Sequence, residues 1–269
     1  MADYFEINRA HWDDRVPIHV ASSFYGVEEW LRERPGPRRW EMDLLGDLSD
    51  LDVVHLQCHF GLDTLALADA GARVTGLDFS KPAIAQARSL ADRAGLSDRA
   101  RFVEADVLQA ADALSPQRYD VVYVSLGALC WLPSVSRWAA QVAALLRPGG
   151  RLYLHDVHPL DWALADDDLR VEHSYFEERE PHVDTSGVTY TDGEARLRNT
   201  MAYEWNHSLG EIVMAVLDHG LRIVMLAEHD WTVWRRFSWL VDTADRRWVT
   251  PAGRPRVPLS FTLLAASDA

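Results

Sequence analysis

The sequence predicts an α/β fold in which a mostly parallel sheet carries helices on both faces. From Asp52 to Val157 short β-type runs alternate with amphipathic helical runs. The helical runs stop at Gly71, at Gly95 and at the Pro148-Gly149-Gly150 breaker, each just before a new strand. Alternation of this kind builds parallel strands joined by crossover helices. At 269 residues the chain can hold one large domain with insertions. We divide it into a helical cap over residues 1–50 and a main domain over 51–269.

Residues 1–50 mix aromatic and charged residues at helical spacing; Trp30, Leu31 and "EMDLLGDL" give apolar faces and "RPGPRR" breaks them. "DVVHLQC" is the first strand. "GLDTLALADAG" is a helix with Leu62, Leu65, Ala66 and Ala70 on one face, and "ARVTGLDF" is the second strand. In "SKPAIAQARSLADRAG" Ser80 is the N-cap, Pro82 fits the first turn and Gly95 is the stop. "ARFVEADV" and "YDVVYVSLGAL" follow as strands, "SVSRWAAQVAALLRPGG" as a helix that the breaker ends, and "RLYLHDV" as the fifth strand. After His158 the alternation lapses, which indicates an inserted lid at about 159–205. Helix returns in "NHSLGEIVMAVLDHG", where Ser208 and Glu211 have capping-box spacing. "LRIVMLAEHDW" and "VPLSFTLLAAS" are the last strands; with no helix between them they predict an antiparallel hairpin at the sheet edge.

The 41 acidic against 27 basic residues give a net charge of −14, which repels a phosphate backbone, and no basic block reverses it locally. Nucleic acid is not expected as a partner. Cys58 and Cys130 suit a reducing compartment better than a disulfide scaffold. The charged start "MADYFEINRAHWDDR" is unlike a signal peptide, and no run reaches the ~20 apolar residues of a membrane span. The expectation is a cytoplasmic monomer or homodimer that binds no membrane.

In an open parallel sheet the ligand crevice lies beyond the carboxyl ends of the strands, where strand order reverses. The first turn there is "LQCHFG", which keeps only Gly61 of the glycines that let a pyrophosphate lie on the backbone. A nicotinamide-dependent oxidoreductase shares the alternation but needs the missing glycines. Asp78 ends the second strand, where an acid can accept from both hydroxyls of a ribose. Asp106 ends the third, where a carboxylate can meet the exocyclic amine of adenine. Two acids so placed suit a nucleoside better than a nucleotide.

The order "VVHLQCHFG", "VTGLDFS", "RFVEADV", "YDVVYVSLGALCWLP", "LLRPGGRLYLHDVHP" resembles the class I S-adenosylmethionine-dependent methyltransferases. It is similar in particular to a bacterial small-molecule branch that carries "LQCHFG" instead of the usual "LDxGxGxG". The likeness runs over most of the chain, since "EWNHSLGEIVMAVLDHGL" and "PLSFTLLA" also resemble members. It implies a Rossmann-like, seven-stranded, mostly parallel sheet with its last strand antiparallel, and S-adenosyl-L-methionine as cofactor, leaving as S-adenosyl-L-homocysteine. By resemblance, the backbone around Gln57, His59 and Gly61 faces the methionine part, Asp78 the ribose, Phe79 the adenine face, Asp106 and Val107 the adenine edge, and Ser125 the amino group. His55 departs from the pattern, standing where the family usually has an acid. A cofactor without phosphates tolerates side chains at Gln57 and His59.

Methyl transfer asks chiefly that acceptor, methyl and sulfur be held collinear and dry. A hydroxyl, indole or ammonium acceptor also needs a base, for which His is the commonest choice. His155, Asp156 and His158 at the end of the fifth strand, and His207 before the late helix, are the candidates, each with the alternative of a structural histidine or helix cap. "HDVH" has a thinkable ligand set, but no second cluster completes it, so no metal is expected. Of 11 tryptophans, Trp131, Trp162, Trp205 and Trp231 fall near the rim and lid, where with Tyr25 they can wall a substrate pocket, while Trp12 can cover the cofactor. The function expected is methyl transfer to O, N or C of a small, aromatic or heteroaromatic specialised metabolite. A cofactor-binding protein without catalysis is the alternative of another class.

Overall fold

The structure, a computed structural model, describes residues 4–191 and 195–268. The chain opens with α1 (Tyr4–Ala21), α2 (Val27–Glu33) and α3 (Arg39–Leu45). The alternating half follows: β1 (Asp52–Leu56), α4 (Leu62–Asp69), β2 (Arg73–Asp78), α5 (Lys81–Ala94), β3 (Ala100–Glu104), a 3-10 turn at Val107–Gln109, and α6 (Ala110–Ala113). It continues through β4 (Tyr119–Ser125), a 3-10 turn at Leu129–Trp131, α7 (Val135–Leu145) and β5 (Leu146–Val157). Beyond lie α8 (Pro159–Ala163), β6 (His182–Asp184), β7 (Ala202–Glu204), α9 (Leu209–Asp218), β8 (Leu221–His229), β9 (Trp231–Thr232), β10 (Val241–Asp242), β11 (Trp248–Val249) and β12 (Ser260–Ser267).

The main sheet has seven strands in the order β3-β2-β1-β4-β5-β12-β8, with β12 antiparallel to both its neighbours and the other pairs parallel. This is the Rossmann-like arrangement expected. Strand order reverses between β1 and β4, so a crevice opens at their carboxyl ends. One face is packed by Trp138, Val142 and Ile212 of α7 and α9 over Val122, Leu152 and Phe261. The other is packed by Trp30, Leu65, Ile84 and Leu90 of α2, α4 and α5 over Val53, Val121 and Tyr153. Ser80 caps α5 through the Ala83 N–H and Gly95 ends it in the left-handed region. Ser208 and Glu211 form the reciprocal capping box at the start of α9. No helix among the described residues is long and apolar enough to cross a membrane.

One expectation is corrected. The helix before the Pro-Gly-Gly stretch ends earlier, at Leu145, and β5 begins at once with Leu146 opposite Tyr119. Gly150 permits this: an added Cβ would lie 2.9 Å from the Arg147 carbonyl oxygen and 3.0 Å from that of Tyr119. The last two strands pair antiparallel at the sheet edge, as expected, with β8 outermost and β12 next to it. Between them runs an excursion that forms a three-stranded sheet β10-β11-β9, packed through Phe237, Leu240 and Leu259 on Leu164 of the earlier insertion. Within that earlier insertion β6 and β7 form a two-stranded sheet.

Candidate active site

Between β1 and α4 the backbone enters the left-handed region at alternate residues, Gln57 (φ 56°), His59 (φ 51°) and Gly61 (φ 79°). Such a conformation costs a residue with a Cβ roughly 1–2 kcal/mol, and neighbours must hold it there. They do so from three sides. The Cys58 N–H donates to the Leu77 carbonyl at 3.0 Å, the His59 N–H to Asp78 Oδ2 at 2.8 Å, and Gln57 Nε2 to the Ala128 carbonyl at 2.8 Å. Phe102 of β3 presses from below: a Cβ on Gly61 would meet its ring at 2.6 Å, and one on Gly76 at 2.7 Å. The loop therefore keeps the path of a glycine-rich turn while carrying two side chains on it.

Those side chains face a pocket at the strand-order reversal that encloses roughly 700 Å³ of space, open solvent included. Its floor is the 57–63 loop with His55; one wall is Asp78 and Phe79, the opposite wall Ser125 to Ala128. Trp12, Tyr25, Trp131 and Tyr190 form the roof. Asp78 is nearly buried, and burial raises its pKa to about 6 although the Ser80 and His59 N–H groups pull it down. Each of its oxygens takes one of these donors and keeps a lone pair. Burial holds His55 neutral, with a value of about 4; it pairs with Thr64 Oγ1 at 2.9 Å and Ser125 Oγ at 3.4 Å. Gln57 Oε1 and His59 Nδ1 are shielded from solvent and have no partner.

The roof is held by α1 and by residues 187–191 and 197–204 of the insertion. The inner stripe of α1 is polar: Asn8, His11, Arg15 and His19 are all buried. Asn8 exchanges two 2.8 Å bonds with the Tyr203 backbone, His11 Nδ1 meets the Asn199 carbonyl at 2.8 Å, and Asp14 accepts from the N–H groups of Arg198 and Asn199. His19 reaches both sides, with Nδ1 2.9 Å from His59 Nε2 and Nε2 2.6 Å from Thr189 Oγ1. The Tyr25 and Tyr190 hydroxyls meet at 2.5 Å. The buried Arg15 guanidinium lies 4.7 Å from the Trp12 ring and 5.1 Å from that of Trp131.

Of the residues expected from sequence, Gln57, His59, Gly61, Asp78, Phe79, Ser125, Trp12, Tyr25 and Trp131 line this pocket. Asp106 and Val107 do not. Asp106 caps the next turn by accepting from the Leu108 N–H at 2.9 Å, and the Val107 side chain is packed into the core. The four candidates for the chemistry also lie elsewhere. His155 pairs with Thr262 Oγ1 at 2.8 Å and stacks on Trp231, and its inward side makes burial lower its value to about 3. Asp156 accepts from the N–H groups of Gly127, Leu129 and Val157, so it shapes the loop after β4 from behind. His158 caps α8 through the Leu160 N–H, with Nε2 2.9 Å from Glu228. His207 lies between Glu177 and the Leu132 carbonyl, at 2.7 and 2.8 Å. Trp162 is half-buried on α8, Trp205 packs edge-on against Tyr4, and Trp231 lies between His155 and Trp40; none borders the pocket. Sequence reasoning missed His19, Asp63, Thr189 and Tyr190. Asp63 had a signal, an acid in the first turn after the loop; the others have none without knowing that α1 and the insertion meet.

Residues 53–150 match the family model described as "Methyltransferase domain". This stretch is similar in sequence to methyltransferase domains. A ubiquinone biosynthesis O-methyltransferase from Methylobacterium sp. is 28% identical over 57% of this chain and 60% of its own. The chain spans less than two thirds of the length of the curated relatives it matches. Among solved structures, an S-adenosylmethionine-dependent methyltransferase from Mesorhizobium loti aligns with TM-score 0.55 and 22% identity, over 91% of this chain and all of its own. The CcbJ methyltransferase from Streptomyces caelestis aligns with TM-score 0.57 and 18% identity, over 91% and 98%. At such identities the structures share the fold.

S-adenosylmethionine is the cofactor that a methyltransferase match implies, and the residues present fit it. Asp78 offers lone pairs at the position for a ribose diol, Phe79 an aromatic face, and Ser125 a hydroxyl. Gln57 Oε1, unpartnered among the described residues, offers a further polar contact. Asp63, eight residues on from His55, places a carboxylate on the same floor.

Proposed function

We propose that this protein transfers a methyl group from S-adenosylmethionine to O, N or C of a small aromatic or heteroaromatic molecule, of the kind made in specialised metabolism. The observation that carries the reading is the pocket itself: a left-handed 57–61 loop and Asp78 at the strand-order reversal, roofed by four aromatic rings. The bound cofactor supplies a methyl carbon activated by a positively charged sulfur. The chain's own part is to hold and dry the site. Asp78 would grip the ribose and Phe79 lie against the adenine. Ser125 and Asp63 would meet the amino group. Trp12, Tyr25, Trp131 and Tyr190 would face a flat acceptor and, through their ring faces, the charged sulfur.

Support comes from the family match over residues 53–150 and from a relative whose name includes O-methyl transfer. The test is calorimetric titration with S-adenosylmethionine, followed by incubation of the labelled cofactor with a panel of phenols, indoles and heteroaromatic amines. Binding with label in one acceptor class supports the reading. Absence of cofactor binding ends it. Tight binding of S-adenosylhomocysteine with no label transferred to any class would favour a binding protein instead.

A further inference from the structure

Two neutral histidines and a threonine, from three segments far apart in sequence, form one hydrogen-bonded row whose first member, His59, lines the pocket. His59 lines the pocket, and its Nδ1 is shielded from solvent and unpartnered among the described residues. His59 Nε2 meets His19 Nδ1 at 2.9 Å, and His19 Nε2 meets Thr189 Oγ1 at 2.6 Å. Thr189 is half-buried, so its hydroxyl stands between the buried pair and water. A neutral imidazole has one N–H and one bare nitrogen, so such a row has two complete arrangements, with every N–H pointing outward or every N–H pointing inward.

We propose that His59, His19 and Thr189 are a proton relay, with His59 Nδ1 as the base that accepts the proton of a hydroxyl or N–H acceptor. This rests on the methyl-transfer reading above. As the acceptor atom bonds to the methyl carbon, the carbon–sulfur electron pair goes to sulfur and the acceptor's proton goes to His59 Nδ1. His59 Nε2–H passes its proton to His19 Nδ1, His19 Nε2–H passes its own to Thr189 Oγ1, and the threonine releases one to water. The net change is one proton moved outward, and no residue keeps an added charge. That balance matters here, because burial opposes a positive charge on either ring, followed by Arg15 and His11 at His19 and by His19 and Arg15 at His59. The other polar groups facing the row, the Tyr25 and Tyr190 hydroxyls, are bonded to each other. Thr189 belongs to the insertion, so the row is complete only while that segment lies on α1.

The test is nitrogen-15 NMR on histidine-labelled protein bound to S-adenosylhomocysteine, between pH 6 and 8. The relay predicts bare Nδ1 and protonated Nε2 on both rings at rest. Thr189→Val should shift the ring nitrogens of His59 as well as those of His19, and Thr189→Ser should restore them. Phenol, added as a proton-bearing probe, should displace the His59 Nδ1 signal. A protonated His59 Nδ1 at rest, a valine variant that moves only His19, or a Nδ1 signal indifferent to phenol would each overturn the relay. Calorimetry on the same samples separates the two readings: failure to bind S-adenosylhomocysteine sinks methyl transfer, while the resting tautomers in the free protein still judge the relay.

Discussion

Asp78 shows how one buried carboxylate ties folding and binding to pH. Burial lifts its value from 3.8 to about 6, so the folded free protein holds its proton more tightly than the unfolded chain does. The stability this gives is fully present below pH 3.8 and is lost as pH rises through about 6. At ~1.4 kcal/mol per tenfold change in proton affinity the loss is about 3 kcal/mol. Asp78→Asn should remove that decline from a denaturant-midpoint profile across pH 4 to 7. For the cofactor the sign reverses: a diol donates to the carboxylate, so the proton competes, and calorimetric affinity should fall towards tenfold per pH unit below pH 6. Asp78→Asn should weaken binding about tenfold or more at pH 7.5, the scale of a charged hydrogen bond. Gln57 gives a second residue-level expectation. Because its φ is 56°, Gln57→Gly should be more stable than Gln57→Ala by about 1 kcal/mol in thermal unfolding, the reverse of the order at ordinary positions. The place of Asp78 was readable because a strand end fixes both position and direction. The strand-end rule found the right end of the sheet for His155 and Asp156 too, but it does not say which way a side chain points: one faces Thr262 and Trp231, the other the back of the 127–129 loop.

Elements that are locally specified were the most legible. Ser80 with Pro82 and Gly95, and Ser208 with Glu211, carry their caps within a few residues, and α5 and α9 start where those signals stand. Ser208→Ala should lower stability by about 1 kcal/mol, measured by urea unfolding, since it strips the oxygen from the Glu211 N–H. The 57–61 loop was legible only in part. Its letters lack glycine, yet its backbone keeps the glycine path, because the restraint comes from β2, β3 and the loop after β4 rather than from the loop itself. Gly76 is part of that restraint. Gly76→Ala would place a Cβ 2.7 Å from the Phe102 ring and 2.8 Å from Cys58 Sγ; an overpacked core of this kind should lose about 1–3 kcal/mol, and the displaced Cys58 should weaken cofactor binding in the same titration.

At the scale of the molecule, the sheet order followed from the alternation of elements, while the way the cap meets the insertion did not. A helix that buries Asn8, His11, Arg15 and His19 at helical spacing reads in sequence as one with a solvated face, because its hydrogen-bond partners in the insertion lie 170 to 195 residues away. The excursion between β8 and β12 was hidden for a similar reason: its strands are two residues each and pair across turns that carry little periodicity. The α1–insertion contact makes its own prediction. Asn8→Leu leaves the Tyr203 N–H and carbonyl without their reciprocal partner, so hydrogen exchange at Tyr203 should speed up by roughly tenfold or more, the scale of one buried polar group left unpaired, while amides in β1 and β4 keep their protection.

A roof joined to its support by amides, imidazoles and carboxylates has a thermal consequence. Water can replace each of those partners when the roof lifts, so admitting a ligand exposes little oil along that seam. Ligand entry should then carry a smaller heat-capacity signature per unit of surface than a greasy latch would give, and its temperature dependence should reflect mainly the aromatic rings that meet the ligand itself.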